Sequence, residues 1–239
     1  MPEYIQLSVE NVTVRYGEAQ ALTDVSLTIL RGGITSIIGA NGAGKTTLIR
    51  ALAGMVPIAS GRIRYGDKEL EKLDSADICE LGIGQVPEGR RVFPSLSVED
   101  NLKAGALLRR ARHSRKENIE RMYAMFPLLR ERRRQSAGTL SGGEQQMLAI
   151  ARCLMGGPEF IMLDEPSLGL SPIMTETMFD VVRELARQKL TVLLVEQNVV
   201  ESLSISERAY VLENGSIVLQ GKAADLLSDD RVRSAYLGL

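Results

Sequence analysis

Two short segments of this chain combine glycines with a hydroxyl side chain at points where a helix is predicted to begin. The first is the phosphate loop, our name for residues 39–46 (Gly-Ala-Asn-Gly-Ala-Gly-Lys-Thr), which matches the pattern G-x-x-x-x-G-K-[ST]. In that pattern backbone amides surround the phosphates, Lys45 reaches the β and γ oxygens, and the Thr46 hydroxyl binds Mg²⁺. The phosphate loop therefore predicts a site for a nucleoside triphosphate.

The second segment is Leu140-Ser141-Gly142-Gly143-Glu144, called the signature segment below. Ser141 and Glu144 have the spacing of a capping box, in which each side chain binds the backbone amide of the other residue. The amides of Gly142 and Gly143 are then left at the positive end of a helix, where anions bind. We interpret this segment as a second phosphate site without a lysine, and two such sites imply a shared nucleotide.

Short apolar strands are expected to position these segments. Residues 34–38 predict a buried strand that enters the phosphate loop, and the helix after it is expected from Lys45 to Gly54. Residues 160–163 predict a second buried strand that ends at Asp164 and Glu165, and residues 190–196 predict a third. Carboxylates at the end of such a strand would point into the phosphate site.

The rest of the chain has other periodicities. Alternation of apolar and polar residues in 5–9 and again in 12–16 predicts two short antiparallel strands joined at Glu10-Asn11, and Asn214-Gly215 predicts a hairpin turn. From 93 to 154 the pattern is helical and no strand fits. Behind a Ser171 cap, the helix that follows should bury one stripe of side chains. Its expected members are Ile173, Met174, Thr177, Met178, Val181, Val182 and Leu185.

These elements predict one α/β domain over residues 1–239. Its core and an antiparallel β-subdomain would comprise 1–92 and 155–239, with an all-helical subdomain, 93–154, inserted between them. The 239 residues are enough to bury a large core without an accessory group, and the two cysteines lack the spacing of a zinc site or a disulfide framework. We expect both cysteines to be core residues. The sequence has no apolar run of the roughly 20 residues that a membrane span needs.

Charge is unevenly distributed along the chain. Residues 103–134 contain 11 Lys or Arg against three acids, so this basic stretch carries +8 while the whole chain carries −1. A solvated helical face explains such a stretch, and a face turned toward anionic lipid headgroups is the alternative. Nucleic acid is the least favoured partner, because the arginines are not interleaved with aromatic side chains that could stack on bases.

The phosphate loop, the signature segment and Asp164-Glu165, in this order, resemble the ATP-binding subunits of ABC transporters. The resemblance covers nearly the whole chain. It implies the ABC ATPase fold, with a RecA-like P-loop NTPase core, and hydrolysis of ATP with Mg²⁺ to drive transport. It also implies integral membrane permease subunits as partners, a solute-binding protein acting indirectly, and a peripheral location on the cytoplasmic face of the plasma membrane. A soluble ABC-type ATPase acting on nucleic acid or ribosomes is the alternative, but such proteins usually add a second cassette or a long coiled coil.

The resemblance also implies roles for particular residues. Glu165 would polarise the attacking water, and Gln197 would contact the γ-phosphate. Tyr16 would stack on adenine, although a tyrosine at an alternating position could instead belong to the core. The expected Mg²⁺ ligands are Thr46, Glu88 and Asp164, the last through water. The expected nucleotide contacts, besides Tyr16, are Gly39, Asn41, Gly42, Ala43, Gly44, Lys45, Thr46, Thr47, Ser141, Gly142 and Gly143.

Three residues near the expected γ-phosphate differ from the usual pattern of the family. Glu88 replaces a glutamine, Ser171 replaces an aspartate, and Gln197 replaces a histidine. A glutamine amide can still donate a hydrogen bond, but it cannot become cationic. With the strings 86–93, 195–198 and 235–238, these changes resemble one of the two ATPase subunits of branched-chain amino acid importers. Importers of urea or short amides carry similar strings. We therefore expect a second, different ATPase subunit as the partner.

Overall fold

The computed structural model describes residues 4–237, which form two sheets surrounded by helices. Met1–Glu3 and the last two residues, which the predicted domain includes, lie outside this range. The strands are β1 (Ile5–Tyr16), β2 (Ala19–Leu30), β3 (Ile34–Ile38), β4 (Ser60–Tyr65), β5 (Lys68–Glu69), β6 (Ile83–Val86), β7 (Phe160–Asp164), β8 (Thr191–Glu196), β9 (Arg208–Glu213) and β10 (Ser216–Lys222). The helices are α1 (Lys45–Leu52), α2 (Ser75–Glu80), α3 (Val98–Gly105), α4 (Arg115–Met125), α5 (Pro127–Glu131), α6 (Gly142–Leu154), α7 (Pro172–Arg187), α8 (Val199–Ile205), α9 (Ala223–Leu227) and α10 (Asp230–Val232).

The larger sheet brings the predicted chemistry to one edge. Its strand order is β10-β9-β3-β8-β7-β6, and all neighbours are parallel except the β9–β10 hairpin. The phosphate loop follows β3, Gln197 follows β8, and Glu165 follows β7. Because these three strands are adjacent and parallel, their carboxyl ends meet at the same edge, which is where ligands bind in open α/β sheets.

The predicted buried strands are covered on both faces, as their continuous apolar sequences require. In β7, Phe160 and Met162 belong to the hydrophobic cluster shared with α1 and the smaller sheet. Ile161 and Leu163, which alternate with them, belong to the cluster shared with α6 and α7. All four side chains are fully buried. Two hydrophobic layers therefore hold the strand that ends at Asp164.

The prediction for the N-terminal segment was wrong in its pairing. Residues 5–16 form one continuous strand, β1, which pairs antiparallel with β2 on one side and with β4 on the other. Asn11 has a φ of 49°, and the register shifts between Val9 and Val12. Such a bulge adds one residue to the strand and reverses the alternation of its side chains, so a bulge resembles a turn in the sequence pattern.

Between 93 and 154 the described elements are the helices α3 to α6 and two short 3₁₀ turns, apart from one isolated bridge between Ser97 and Ser136. Ser97 caps α3 by accepting a hydrogen bond from the amide of Asp100. The boundaries of a helical subdomain at 93 and 154 stay a prediction. Of residues 4–237, no helix has both the length and the apolarity to cross a membrane.

The helix α7 begins at Pro172 behind a Ser171 cap, as expected, but its buried stripe differs from the prediction. Ile173 is 76% exposed, and Thr177 is exposed with its hydroxyl donating to the carbonyl of Ile173. Met174, the next residue in the first turn, is partly buried against the hydrophobic cluster that contains Met178. The buried residues of α7 are Met178, Phe179, Val182 and Leu185.

Most side chains of the basic stretch are exposed, both on the helices and on the turns between them, and His113 is exposed among them. Arg132 is an exception, because its guanidinium donates a 3.1 Å hydrogen bond to Glu144 of the signature segment. The two cysteines are partly buried rather than fully in the core. Burial raises the pKa of the Cys153 thiol to about 12, which keeps it protonated and unreactive.

Candidate functional site

The phosphate loop joins β3 to α1 through a backbone that only glycine accepts at two positions. Gly44 caps α1 with a φ of 105°, a left-handed conformation that strains any residue with a side chain. At Gly39 a β-carbon would lie 2.2 Å from the carbonyl oxygen of Leu212, so β9 itself excludes a side chain there. These constraints leave the backbone amides at the start of α1 free of side-chain cover, as an anion site requires.

The loop borders a cavity of about 660 Å³. Nine of the residues predicted from the sequence line it: Asn41, Gly42, Gly44, Lys45, Thr46, Thr47, Glu88, Glu165 and Gln197. The other lining residues are Gln20, Ala21, Leu168, Asn214 and Gly215. The structure therefore gathers the phosphate loop, the two strand-end side chains and Glu88 around one space large enough for a triphosphate.

Lys45 lies buried at the floor of this cavity. Its ammonium group donates hydrogen bonds to the carbonyls of Gly39 at 2.8 Å and Ala40 at 3.0 Å, and it lies 3.1 Å from Glu165 Oε1. The side chains of Lys45 and Glu165 are 3% and 8% exposed, so water screens their attraction only weakly. Lys45 is therefore oriented toward the position where a terminal phosphate would meet the carboxylate of Glu165.

Glu165 is held in place by its backbone and by Gln197. Its φ of 45° is unusual for a residue with a side chain, and its amide donates a 2.8 Å hydrogen bond to the carbonyl of Val195. Such strain persists only where neighbouring contacts impose it. The side-chain amide of Gln197 donates to Glu165 Oε2 at 2.8 Å and also to Asn41 Oδ1. Gln197 thus links the phosphate loop to the carboxylate next to it.

Asp164 is placed as a metal ligand would be. Its Oδ1 accepts a 3.3 Å hydrogen bond from the Thr46 hydroxyl, while its buried Oδ2 has no hydrogen-bond partner. Burial raises the pKa of Asp164 to about 6, with further contributions from the charges of Glu165 and Glu88. No cluster of three or more His, Cys, Asp or Glu suited to a metal occurs among residues 4–237. A cation at Asp164 and Thr46 would therefore take its other ligands from water and from phosphate oxygens.

We expect Asp164→Asn to stabilise the nucleotide-free protein at neutral pH. The pKa of Asp164 is about 6 in the folded chain and about 3.9 in an unfolded one, so the folded state binds more protons between these values. The cost of ionising Asp164 thus grows as the pH rises through this window and is complete above pH 6. Because asparagine avoids that cost, the free energy of unfolding should rise by on the order of 1–3 kcal/mol above pH 6.

Urea unfolding at pH 8, 6 and 4.5 checks this expectation, since the gain should shrink toward zero as the pH approaches 4. The surface change Asp180→Asn serves as the control and should alter stability by less than about 0.5 kcal/mol at each pH. A variant Asp164→Asn that is less stable than the wild type at pH 8 would contradict the assignment of a buried, destabilising carboxylate.

The signature segment forms the predicted capping box. The Ser141 hydroxyl accepts a 3.4 Å hydrogen bond from the amide of Glu144, and the Glu144 carboxylate accepts one of 2.8 Å from the amide of Ser141. Arg132 holds the same carboxylate. However, Ser141, Gly142 and Gly143 do not line the cavity of the phosphate loop. One chain therefore carries both predicted phosphate sites but does not bring them together.

Other features of the cavity could not be recognised in the sequence. The Asn214-Gly215 turn was predicted only as a hairpin, yet Gly215 donates a 2.9 Å hydrogen bond to the carbonyl of Ala43. Gln20 and Ala21 line the cavity from β2, where the amide of Thr23 donates a 2.8 Å hydrogen bond to the carbonyl of Gly215. Neither contact leaves a local signal, since both join segments that are far apart in the sequence. Tyr16 is 45% exposed at the end of β1, so its alternative reading as a core residue was wrong.

Residues 22–168 match the protein family described as ABC transporter. The chain belongs to the ABC transporter family. It is 49% identical to the high-affinity branched-chain amino acid transport ATP-binding protein BraG of Pseudomonas aeruginosa, over 97% of this chain and 99% of that one. It is 39% identical to the probable branched-chain amino acid transport ATP-binding protein LivF of Archaeoglobus fulgidus, over 94% and 95% of the two chains. The resemblance to ABC transporter ATP-binding subunits is confirmed, and so is the narrower resemblance to an ATPase subunit of branched-chain amino acid importers.

The fold of this ABC cassette is confirmed as well. The crystal structure of the ADP conformation of an ATP-binding cassette of an ABC transporter superposes with a TM-score of 0.84 at 29% identity, over 99% of this chain and all of that one. Family and fold together make the chain an ATP-binding cassette that hydrolyses ATP.

Proposed function

We propose that this chain is the energy-coupling ATPase of an importer for branched-chain amino acids. The observation that carries the proposal is the 49% identity to BraG over nearly the full length of both chains, with the phosphate loop, Glu165 and Gln197 assembled around one cavity. Transport would use ATP binding to draw two cassettes together and hydrolysis to release them.

Deleting the gene tests the transported solute. We expect loss of high-affinity uptake of radiolabelled leucine, isoleucine and valine, restored by the wild-type gene but not by Lys45→Ala. Uptake of urea and of acetamide in the same cells should be unchanged. Normal leucine uptake combined with a loss of urea or amide uptake would replace this proposal by its closest alternative.

In the proposed mechanism the amides from Gly42 to Thr46 and the ammonium of Lys45 bind the β- and γ-phosphates. Glu165 orients the attacking water and accepts its proton, while Gln197 holds Glu165 and Asn41 at the edge of the phosphate site. The exposed ring of Tyr16 would stack on adenine. Most of the rate enhancement would come from positioning and charge stabilisation, as in other phosphoryl transfers.

Mg²⁺ would be held by Thr46 and Asp164, with Glu88 at the edge of the same space. The free Oδ2 of Asp164 fits a metal-bound water, and Glu88 lines a second cavity of about 410 Å³ together with Thr46 and Asp164. The cation would neutralise charge on the phosphate oxygens. Thr46, Glu88 and Asp164 are thus the metal ligands that this chain would supply.

The signature segment would serve ATP bound to a second cassette. Its helix has the amides and the dipole of a phosphate site, and the segment lies outside the cavity of its own phosphate loop. In a pair of cassettes arranged head to tail, each ATP site would combine the phosphate loop of one cassette with the signature segment of the other. We infer that the second cassette is a different chain, because a homodimer would place both Glu88 and Gln197 in each of its two sites.

Native mass spectrometry of the membrane complex should therefore detect one copy of this chain, one copy of another ATPase subunit, and permease subunits. Two copies of this chain without another ATPase would contradict the heterodimer. The solute-binding protein should act only through the permease, from the other side of the membrane, and nucleic acid should be absent from the complex.

An apolar groove supports a permease subunit as a partner. This groove, about 390 Å³, lies between the segment after β6 and the helices α3 and α6. At its rim Phe93 is 48% exposed and Leu107 is 63% exposed. Large apolar side chains exposed together favour protein contact over solvent, and a short helix of a permease subunit has the size and polarity to cover them.

A further inference from the structure

Glu196 is a buried carboxylate at the end of β8, 2% exposed, beside the proposed site. Its Oε1 accepts a 2.8 Å hydrogen bond from the amide of Ser167. Its Oε2 accepts hydrogen bonds from the amides of Gln197 at 3.1 Å and Asn198 at 3.5 Å. A single side chain therefore binds the loop after β7 and the segment after β8 at the same time.

These two segments carry the groups that meet at the proposed water site. Ser167 lies two residues after Glu165, and the amide of Glu165 is itself bound to the carbonyl of Val195. The backbone bond and the Glu196 carboxylate thus form two adjacent links between the segments. Beyond them, the side chains of Gln197 and Glu165 meet at 2.8 Å. Loss of the carboxylate would remove one of these two links between the segments and loosen the restraint on that distance.

We propose that Glu196 is a positioning residue for ATP hydrolysis, which fixes the distance between Gln197 and Glu165 by holding Ser167 against the backbone of Gln197. The proposal rests on the proposed function, in which Glu165 orients the attacking water. Glu196 does not line the cavity, so it acts through its neighbours.

The chemistry of the position requires a carboxylate rather than any polar side chain. Three backbone amides converge on it, and a carboxylate is the side chain that presents two oxygens as acceptors only. Glutamine offers one oxygen and turns an NH₂ group toward at least one of these donors, so a hydrogen bond becomes a repulsive contact. Burying a carboxylate costs free energy, which its hydrogen bonds to amides offset only while all of them are made.

The experiment compares Glu196→Gln with the matched change Glu201→Gln in the full chain within its purified complex. Glu201 lies on α8, and no hydrogen bond or ion pair of its side chain is found among residues 4–237. We expect Glu196→Gln to lower kcat about 10- to 100-fold, the effect of a misplaced catalytic group, with the KM and the equilibrium affinity for ATP changed less than about twofold. Glu201→Gln should leave all three values near those of the wild type.

A double variant separates positioning from general loss of structure. Because Glu196 acts through Gln197, adding Glu196→Gln to Gln197→Ala should lower kcat little beyond Gln197→Ala alone. The proposal would be overturned if the losses of kcat in the two single variants multiply in the double variant. It would also be overturned if the kcat of Glu196→Gln lies within about twofold of the wild-type value. If Glu196→Gln does not fold, Glu196→Asp keeps the charge at a shorter reach and is judged by the same criteria. A wild-type complex that hydrolyses no ATP would instead refute the proposed function.

Discussion

Replacing Glu165 by glutamine is expected to lower steady-state ATP hydrolysis at least ~100-fold while ATP still binds. The substitution keeps the size of the side chain and its contact with Gln197, and it removes the carboxylate that lies 3.1 Å from the ammonium of Lys45. A glutamine amide cannot accept a proton from water at neutral pH. The chemical step should therefore fail with the rest of the site intact.

Nucleotide affinity should be maintained or increased in Glu165→Gln. The ammonium of Lys45 lies 3.1 Å from the Glu165 carboxylate, and that ion pair competes with phosphate oxygens for the lysine. Removing the charge of Glu165 also removes its repulsion of the triphosphate. Equilibrium titration with ATP and a phosphate-release assay on the same preparation check both expectations. Lys45→Ala is the comparison, and it should lose binding and hydrolysis together.

A Glu165→Gln protein that hydrolyses ATP at close to the wild-type rate would show that another group accepts the proton. Glu88 is the obvious candidate, because it lines the same cavity and is exposed. In that case Glu88→Gln should show the loss of ATP hydrolysis that we expect for Glu165→Gln. If Glu165 is the base, Glu88→Gln should instead affect mainly the dependence of the rate on Mg²⁺ concentration.

The parts of the site that could be predicted from sequence are those whose function depends on local spacing. The phosphate loop, the capping box and the carboxylates after β7 each occupy a few consecutive residues, and a parallel sheet brings the ends of its strands together. The hydrogen bond from Gln197 to Glu165 is different, because it depends on the register of β7 and β8. A contact across strands is set by tertiary packing, which a single sequence does not display.

The errors in the fold have the same origin. The bulge at Asn11 was interpreted as a turn, since both interrupt the alternation of side chains and only the pairing with β2 distinguishes them. At Ile173 the helical periodicity continues, but the side chain is exposed. Local periodicity predicts which face of an element is apolar. It does not predict how far the neighbouring element extends to cover that face.

The second large effect is expected from Ser141→Arg, which should abolish ATP turnover while the isolated chain binds ATP almost normally. Ser141 lies outside the cavity of its own phosphate loop, so the substitution leaves Lys45 and Thr46 in place. It removes the serine from the capping box and puts a bulky cation at the start of α6, where phosphate would bind. Because the two sites of a clamp close together, an obstruction at one interface should keep both open.

Ser114→Arg is the matched control, since Ser114 is exposed at the start of α4 and its side chain makes no capping hydrogen bond. This variant should turn over at a rate close to that of the wild type. Equilibrium binding to the monomer and turnover in the complex are measured for both variants. If Ser141→Arg removes ATP binding from the monomer, the signature segment serves the nucleotide of its own chain, and the model of a head-to-tail clamp is wrong.

Co-expression of two differently tagged copies of this chain then tells which chain completes the clamp. In a pair formed by two copies of this chain, a purified complex would contain both tags. In a pair with a different ATPase subunit, each complex holds only one copy of this chain, so capture of one tag should not recover the other. Because we infer the second arrangement from Glu88 and Gln197, we expect the two tags not to co-purify, and a complex that contains both tags would establish the homodimer.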